Sequence, residues 1–303
     1  MSVAAPGAGP ARTRPNATRP AAQEGTSGRL FLLLPAGVWY AVLLVAPLVL
    51  LAVISLGERA ANGGYQPALT LDQYASLATR FTPFTNTIVL AFSGTLLCLL
   101  FGYPLAYVLA TRAGSWKIVL MALIVIPLWT SFLIRTYAWM FILGSNGVPR
   151  ILETFGVEVQ LLNTPFAVLL GIVYNYLPLM ALPIFVSLER LDRTYLEASR
   201  DLGAGPFGTF RQITLPLSAP GIMSGCLLVF IPVMGEYLIP VLLGGGKTYF
   251  LGNALADLFL QSRNWPFGAA LGTAFVAFML AVVALYAWLA KRLPAGSREE
   301  SLL

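Results

Sequence analysis

Six long runs of apolar residues dominate this chain of 303 residues and restrict its possible folds more than any other feature. Each run can cross a hydrocarbon core about 30 Å thick, which takes about 20 helical residues. Charged residues make up only 11% of the chain, against roughly 25% in soluble domains. We therefore predict an all-α membrane protein with six transmembrane helices, near residues 30–56, 84–110, 117–143, 165–187, 217–243 and 267–290.

Proline residues lie inside most of these runs. They are Pro47, Pro104, Pro127, Pro178, Pro183 and Pro232. Membrane helices tolerate bends or breaks at such residues where neighbouring helices satisfy the freed backbone groups. The prolines therefore do not argue against the six spans.

The two ends of the chain differ from this apolar middle. Residues 1–29 are rich in Ala, Pro, Gly, Thr and Arg without an apolar pattern, which predicts a disordered tail. The run 30–56 is too long for the apolar part of a cleaved signal peptide, so we interpret it as a retained membrane helix. The expected organisation is a tail at 1–29, a membrane domain at 30–293 and a second tail at 294–303.

Lysine and arginine residues are divided unevenly between the two sides of this topology. If the N-terminus lies inside, the inner segments carry thirteen basic residues and the outer loops carry five. Basic residues are enriched on the cytoplasmic side of membrane proteins. We therefore expect both termini, and the loop at 188–216, in the cytoplasm.

Composition excludes several classes of function. The chain has no histidine, which removes His-based catalysis, His metal sites and His proton relays. Cys98 and Cys226 fall in separate apolar runs and are interpreted as small buried hydrophobic residues. The net charge of +6 comes without a basic stripe, so we expect no nucleic-acid partner, and nothing indicates a cofactor or a metal.

The segment 244–248 ends in Gly-Lys-Thr and so looks like the end of a phosphate-binding loop. That motif needs a glycine five residues before Gly246, and this position is Val241. It also needs a strand before it and a helix after it. A predicted membrane helix precedes the segment, so we exclude nucleotide binding there.

The most polar stretch between the first and last spans is 190–221. Its first half alternates apolar and charged residues at the helical period, which predicts an amphipathic helix. Gly203, Gly205 and Pro206 then end that helix. Such an element outside the bilayer suits a soluble partner, and the simpler alternative is the solvated loop that any polytopic protein has.

The spacing within this stretch resembles the EAA loop of ABC-type importer permeases. That pattern is Glu-Ala-Ala, three residues, Gly, nine residues, Ile, one residue and Leu-Pro. The corresponding residues here are Glu197-Ala198-Ser199, Gly203, Ile213 and Leu215-Pro216. Serine at position 199 is the one departure. Small residues at 198 and 199 let a helix lie close in a partner's groove, and Gly203 allows a sharp turn.

The resemblance implies a function and a set of partners. In that family this helix docks into an ATP-hydrolysing subunit, so the implied coupling residues, within a coupling loop at 190–216, are Glu197, Ala198, Ser199, Asp201 and Gly203. The implied assembly has a second homologous permease chain, two ATP-binding subunits and an extracytoplasmic solute-binding protein. It lies in the cytoplasmic (inner) membrane of a bacterium. The chain itself would form half of the translocation pathway and perform no bond chemistry.

Two ionisable residues, Arg135 and Glu236, lie inside predicted spans. A charge near the bilayer centre costs several kcal/mol, so both are candidates for function. At a rise of 1.5 Å per residue, both lie roughly 10–12 Å below the outer boundary. One interpretation is a structural ion pair between them. The other is that Glu236 faces the pathway and helps to hold a cation, whereas an unpaired Arg135 would favour an anionic solute.

Aromatic residues flank both charges. Aromatic faces attract ammonium groups by cation–π interaction, although packing or interfacial anchoring is their usual role in membranes. The candidate pathway residues are therefore Trp129, Arg135, Tyr137, Glu236 and Tyr237.

Four segments resemble more narrowly the putrescine/spermidine branch of these permeases. They are 127–139 (PLWTSFLIRTYAW), 195–204 (YLEASRDLGA), 230–245 (FIPVMGEYLIPVLLGG) and 264–268 (NWPFG). This resemblance implies import of a polyamine, or of another small organic or cationic solute that relatives with the same motifs carry.

Two other classes compete with this interpretation. A secondary carrier or channel would need coupling residues near the midplane and often shows inverted repeats, and we find neither. An intramembrane enzyme would need a catalytic set that this sequence lacks. Copurification with an ATPase distinguishes a permease from a carrier.

Overall fold

The structure, a computed structural model, describes residues 34–79 and 81–292. The predicted tails at 1–29 and 294–303 lie outside the described residues. The helices are α1 (Leu34–Ser55), α2 (Asp72–Thr79), α3 (Thr82–Arg112), α4 (Lys117–Val125), α5 (Phe132–Leu143), α6 (Val148–Glu153), α7 (Pro165–Glu189), α8 (Arg193–Asp201), α9 (Pro206–Thr209), α10 (Leu215–Leu217), α11 (Ala219–Met234), α12 (Leu238–Leu242), α13 (Leu251–Ala256) and α14 (Trp265–Arg292).

Shorter elements join these helices. A two-residue strand β1 (Glu58–Arg59) pairs antiparallel with β2 (Tyr65–Gln66). The 3₁₀ turns are Gly114–Trp116 and Ile126–Trp129, and π-helical turns occupy Ala41–Val45, Phe210–Thr214 and Asp257–Gln261.

Four helices, α1, α3, α7 and α14, are long and apolar enough to cross a membrane. Two further spans are bent pairs of helices: Gly114–Trp129 with Phe132–Glu153 at 94°, and Pro206–Leu217 with Ala219–Met234 at 61°. Counting each bent pair as one span gives six, and the predicted class of all-α membrane protein is confirmed.

The third and fifth apolar runs, 117–143 and 217–243, are interrupted. The third breaks at Thr130–Ser131, shortly after Pro127, and the fifth breaks between Met234 and Leu238, shortly after Pro232. Pro127 has no backbone N–H to continue the helical ladder, and the α-helix before it ends at Val125. Pro104, Pro178 and Pro183 lie inside unbroken helices, so proline alone does not determine where a span breaks. The depth estimated for Arg135 used a helical rise over 135–143, which the structure keeps, whereas Glu236 lies within the break, where that rise does not apply.

The described residues fall into two separate units, one that ends at Val49 and one that begins at Leu50. In the first unit, the described part of α1 exposes apolar side chains such as Trp39 and Leu44. A helix with this surface is suited to contact with lipid. Everything described below belongs to the second unit.

Helices α3, α7 and α11 pack tightly against each other and share one core. Cys98, Ile172 and Val229, one from each helix, are fully buried there. A Cβ atom at Gly221 of α11 would lie 2.6 Å from the carbonyl oxygen of Pro183, so only glycine permits this approach of α11 to α7. Of the two cysteines predicted to be buried, Cys98 is buried and Cys226 is half-buried; both are free thiols.

Candidate functional site

Helix α8 lies where the sequence predicted the coupling helix, and a side chain caps its first turn. Asp192 Oδ1 accepts hydrogen bonds from the backbone N–H of Thr194 at 2.9 Å and from the Thr194 hydroxyl at 2.8 Å. These two donors stabilise the carboxylate and hold the pKa of Asp192 below its ordinary value. The cap therefore carries a negative charge at the positive end of the helix.

A glycine turn ends α8. Gly203 has a φ of +80°, a conformation that strains other residues. The N–H of Gly203 donates to the carbonyl of Arg200 at 2.9 Å, and the N–H of Ala204 donates to the carbonyl of Ser199 at 3.0 Å. This hydrogen-bond pair is the Schellman ending. It accounts for the glycine that the sequence motif requires at this position.

One side of α8 is exposed and mixes charged with apolar groups. Glu197, Ala198 and Asp201 are exposed, as expected for docking residues. Leu202 and Phe207, which follow the helix, are 89% and 75% exposed. Exposed apolar side chains rimmed by charges are typical of a protein interaction surface.

Ser199 differs from the expectation that both small residues face the partner. It is 6% exposed, and its Oγ lies 2.9 Å from Thr209 Oγ1 of α9, itself 7% exposed. Ser199 therefore faces its own loop. Ala198 is the small residue that remains available to a partner.

The break between α11 and α12 surrounds Glu236, which is 8% exposed. Its Oε1 accepts hydrogen bonds from the backbone N–H groups of Leu238 at 3.0 Å and Ile239 at 3.3 Å. Its Oε2 accepts a hydrogen bond from the Tyr176 hydroxyl at 2.6 Å. The carboxylate thus caps α12 and ties it to α7.

Arg135 lies one turn after the break in the third run. Its guanidinium carbon lies 6.0 Å from the centre of the Phe132 ring. Its Nε and Nη1 atoms are buried and have no hydrogen-bond partner in the structure. No ion pair joins Arg135 to Glu236 in residues 81–292, so the predicted structural ion pair is absent from this conformation.

The candidate aromatic residues occupy different surroundings. Trp129 is 85% exposed at the bend of the third span, and Tyr137 and Tyr237 are about half exposed at 49% and 40%. Tyr237 follows Glu236 directly in the α11–α12 break. The structure gives no hydrogen bond from Glu236 or Tyr237 to Trp129 or Tyr137.

Sequence reasoning missed Tyr176, which donates to Glu236 from a position 60 residues away in the chain. Its location in an apolar run, next to the buried Asn175, was the available signal. Tyr174 has the same signal on the other side of Asn175, so only the packing of α7 shows which tyrosine contacts Glu236.

The Gly-Lys-Thr segment lacks the strand and the helix that flank a phosphate-binding loop. The short helix α12 precedes it instead of a strand, and the next helix, α13, begins at Leu251, four residues after Lys247. Gly245 and Gly246 turn the chain with φ values of +62° and +67°.

Comparison with known proteins identifies the family. The sequence model of the binding-protein-dependent transport system inner membrane component family matches residues 99–294. This chain belongs to that family. It is a transport permease subunit and not an enzyme, and it is a multi-pass inner membrane protein.

Similar proteins include curated polyamine permeases. The chain is 38% identical over 257 residues to the spermidine/putrescine transport system permease protein PotB of Haemophilus influenzae, covering 82% of this chain and 89% of that protein. It is 36% identical over 261 residues to PotB of Escherichia coli K12, covering 84% and 94%. The predicted resemblance to the polyamine branch is therefore confirmed.

Solved structures of importers share the fold. A bacterial ABC transporter that imports alginate matches with a TM-score of 0.68 at 20% identity, covering 88% of this chain and 97% of that chain. An inward-facing methionine transporter, MetNI, matches with a TM-score of 0.54 at 17% identity, covering 71% and 98%.

Proposed function

We propose that this permease is the membrane-spanning subunit of an ATP-driven importer of polyamines, with spermidine and putrescine as its solutes. The observation that carries the proposal is the identity of 36–38% to spermidine/putrescine permeases across more than four-fifths of this chain. The capped and exposed helix α8, with the family spacing around it, supports docking of an ATPase at the same loop.

The partners follow from the same proposal. The chain pairs with a second homologous permease, two ATP-binding subunits dock at the coupling loops, and an extracytoplasmic binding protein delivers the solute. Glu197, Ala198 and Asp201 contact the ATPase, and Gly203 and Ser199 shape the loop that presents them. The excess of lysine and arginine at 111–117, 188–216 and both ends of the chain supports cytoplasmic termini and a cytoplasmic α8.

The mechanism is alternating access. ATP-driven closure of the ATPase pair moves α8, and the helix bundle changes between an inward-open and an outward-open state. Each ligand shifts this equilibrium only by its difference in affinity for the two states. The chain needs two stable packings and no catalytic residue.

The pathway in this proposal passes the break between α11 and α12. Glu236 supplies the negative charge that a polyamine needs, and Tyr237 supplies an aromatic face beside it. Trp129 and Tyr137 present further aromatic surface along α5 and the bend before it. Three of the four acceptor positions of the Glu236 carboxylate already have donors, so an ammonium group takes the fourth or displaces Tyr176.

One observation favours a second candidate, an importer of an anionic solute. Two buried nitrogen atoms of Arg135 have no partner, and a charged group inside a membrane needs one. A carboxylate or phosphate of the solute would satisfy a guanidinium in the pathway.

ATP hydrolysis by the reconstituted assembly with its binding protein tests both candidates. The solutes are spermidine, putrescine, an amino acid and an organic dicarboxylate, each added separately. We expect the polyamines alone to stimulate hydrolysis. Stimulation by the dicarboxylate alone would support the second candidate, and stimulation by the amino acid alone would exclude both.

The same preparation tests the class of transporter. The permease should copurify with its ATP-binding subunits, and import should require ATP hydrolysis. A chain that purifies alone and transports a solute down an ion gradient would be a secondary carrier, and the proposed function would be wrong.

A further inference from the structure

The coupling helix α8 is attached to the helix that follows it by one buried hydrogen bond. Ser199 Oγ and Thr209 Oγ1 lie 2.9 Å apart, and both side chains are buried. Hydroxyl groups shielded from water keep their partners because separation leaves both unsatisfied. A displacement of α8 therefore carries α9 with it.

The next residue contacts a different membrane helix. The Phe210 ring lies 5.8 Å from the ring of Tyr103 and 5.8 Å from the ring of Tyr107, at 81° and 89°. Both contacts have the edge-to-face geometry that aromatic pairs prefer. Tyr103 and Tyr107 are four residues apart and so share one face of α3. The Phe210 ring is thus held against two successive turns of α3.

Tyr103 also contacts the bend that leads into α11. Its hydroxyl lies 3.1 Å from Ser218 Oγ, and Ser218 is fully buried at the point where the chain turns by 61°. Ser218 Oγ donates as well to the carbonyl of Leu215 at 3.0 Å, within the short helix before the bend. One tyrosine of α3 therefore contacts both the loop that follows α8 and the start of α11.

Phe210 begins a π-helical turn, Phe210–Thr214. Such turns widen the helix locally and are frequent at functional sites. The turn places Phe210 against α3, while the chain continues through α10 into α11. The loop after α8 is thus joined to α11 by the chain itself and to α3 by side-chain contacts.

We propose that the cluster of Phe210, Tyr103, Tyr107 and Ser218 transmits movement of the coupling helix to α3 and α11 together. This inference rests on the proposed function, because it requires an ATPase at α8. The cluster joins α8 to two of the three helices that form the shared core. A shift at their inner ends therefore moves the core of the bundle as one body. These are positioning residues, and none of them contacts the solute or ATP.

The alternative is that the cluster only packs the loop. A packing role predicts lower stability with an unchanged ratio of ATP hydrolysed to solute imported. A transmitting role predicts intact assembly and ATP hydrolysis with less import per ATP. The ratio therefore separates the two roles.

The experiment measures this ratio in proteoliposomes that contain the complete assembly with the binding protein and spermidine. Phe210→Leu removes the ring, and Tyr103→Phe removes only the hydroxyl bonded to Ser218. The matched control is Phe101→Leu, which removes an exposed ring from α3, the helix that Phe210 contacts. Melting temperature and copurification of the ATPase are recorded for each variant.

We expect Phe210→Leu to raise the ATP hydrolysed per solute by about threefold or more, as residues that carry coupling do, and Phe101→Leu to leave it unchanged. Tyr103→Phe should give a smaller rise, and the double variant should fall short of the product of the two single effects. The proposal is overturned if Phe210→Leu or, should that variant not assemble, Tyr103→Phe keeps the wild-type ratio. Failure of the wild-type chain to bind any ATPase would instead remove the proposed function.

Discussion

Two carboxylates of this permease cap helices in opposite surroundings. Asp192 is exposed at the start of α8, and Glu236 is 8% exposed at the start of α12. At the exposed Asp192, water can take the place of the carboxylate as hydrogen-bond acceptor. At the buried Glu236, the Tyr176 hydroxyl and two backbone N–H groups would be left without an acceptor. The same hydrogen-bonding role is therefore dispensable for folding at one site and necessary at the other.

Because of this difference, variants at the two candidate sites should change different properties of the protein. Around α8 the side chains that face outward contact little of their own chain, so substitutions there should alter docking and leave folding intact. Both oxygens of the Glu236 carboxylate have internal partners, so substitutions there should alter folding and transport together. Measuring both properties for each variant tests the separation.

The largest expected effect is that of Glu197→Lys. This exposed residue lies on the docking side of α8, and the substitution reverses the charge presented to the partner. Like charges facing each other across an interface cost several kcal/mol. We expect copurification of the ATPase to be lost and import to fall by roughly tenfold or more, while membrane insertion and melting temperature stay at wild-type values.

Glu58→Lys is the matched control for that variant. Glu58 is also exposed, and it lies in β1, on the side of the membrane opposite to α8 in the proposed topology. The same charge change there should leave ATPase association intact. Normal association and import in Glu197→Lys would contradict the assignment of α8 as the coupling helix.

The sequence was sufficient to predict α8 because its signals are local. The amphipathic period and Gly203 act within a dozen residues, and the helix ends where they indicate. The six spans could be predicted as well, because about 20 consecutive apolar residues are enough to cross a bilayer. The family spacing is the basis for the proposed docking of an ATPase at this loop.

The break around Glu236 could not be predicted in the same way. Apolar composition persists through Gly235 and Tyr237, and membrane helices tolerate interruptions that other helices satisfy. The partner that satisfies this one, Tyr176, is on α7 and became visible only with the packing of α7 against α11. Ser199 is a similar case, because its inward direction depends on Thr209 of the next helix.

Glu236→Ala should have the next largest effect. It leaves the Tyr176 hydroxyl and two backbone N–H groups without an acceptor, which costs about 2 kcal/mol or more of the free energy of unfolding. Glu236→Gln keeps an oxygen for those N–H groups and should cost less, about 1 kcal/mol. Melting temperatures of the purified assembly measure both.

Uptake of spermidine by the same variants sharpens the comparison. If Glu236 faces the pathway, Glu236→Gln lowers uptake by more than its loss of stability explains. Tyr176→Phe is the control, because it frees an acceptor on the carboxylate and preserves the charge. Unchanged uptake in Glu236→Gln, with a lower melting temperature, would assign Glu236 to helix capping alone.

The smallest expected effect concerns Asp192 and pH. The pKa of this carboxyl is lowered in the folded protein from an ordinary value of 3.8. Its contribution is therefore fully present above that value and is lost as the pH falls through the lower pKa of the folded state. Asp192→Asn should keep the cap and remove this pH dependence, because asparagine also accepts the hydrogen bond from Thr194.

Hydrogen exchange of the first turn of α8, followed by mass spectrometry between pH 3 and pH 7, measures the cap directly. At pH 7, Asp192→Ala should exchange about threefold faster than the wild type. Asp192→Asn should exchange at the wild-type rate. As the pH falls below about 3.8, the first turn of α8 should lose protection in the wild type and keep it in Asp192→Asn. Equal protection in all three proteins at pH 7 would mean that the backbone turn holds α8 without its cap, and the contrast with Glu236 would then be larger than the hydrogen bonds indicate.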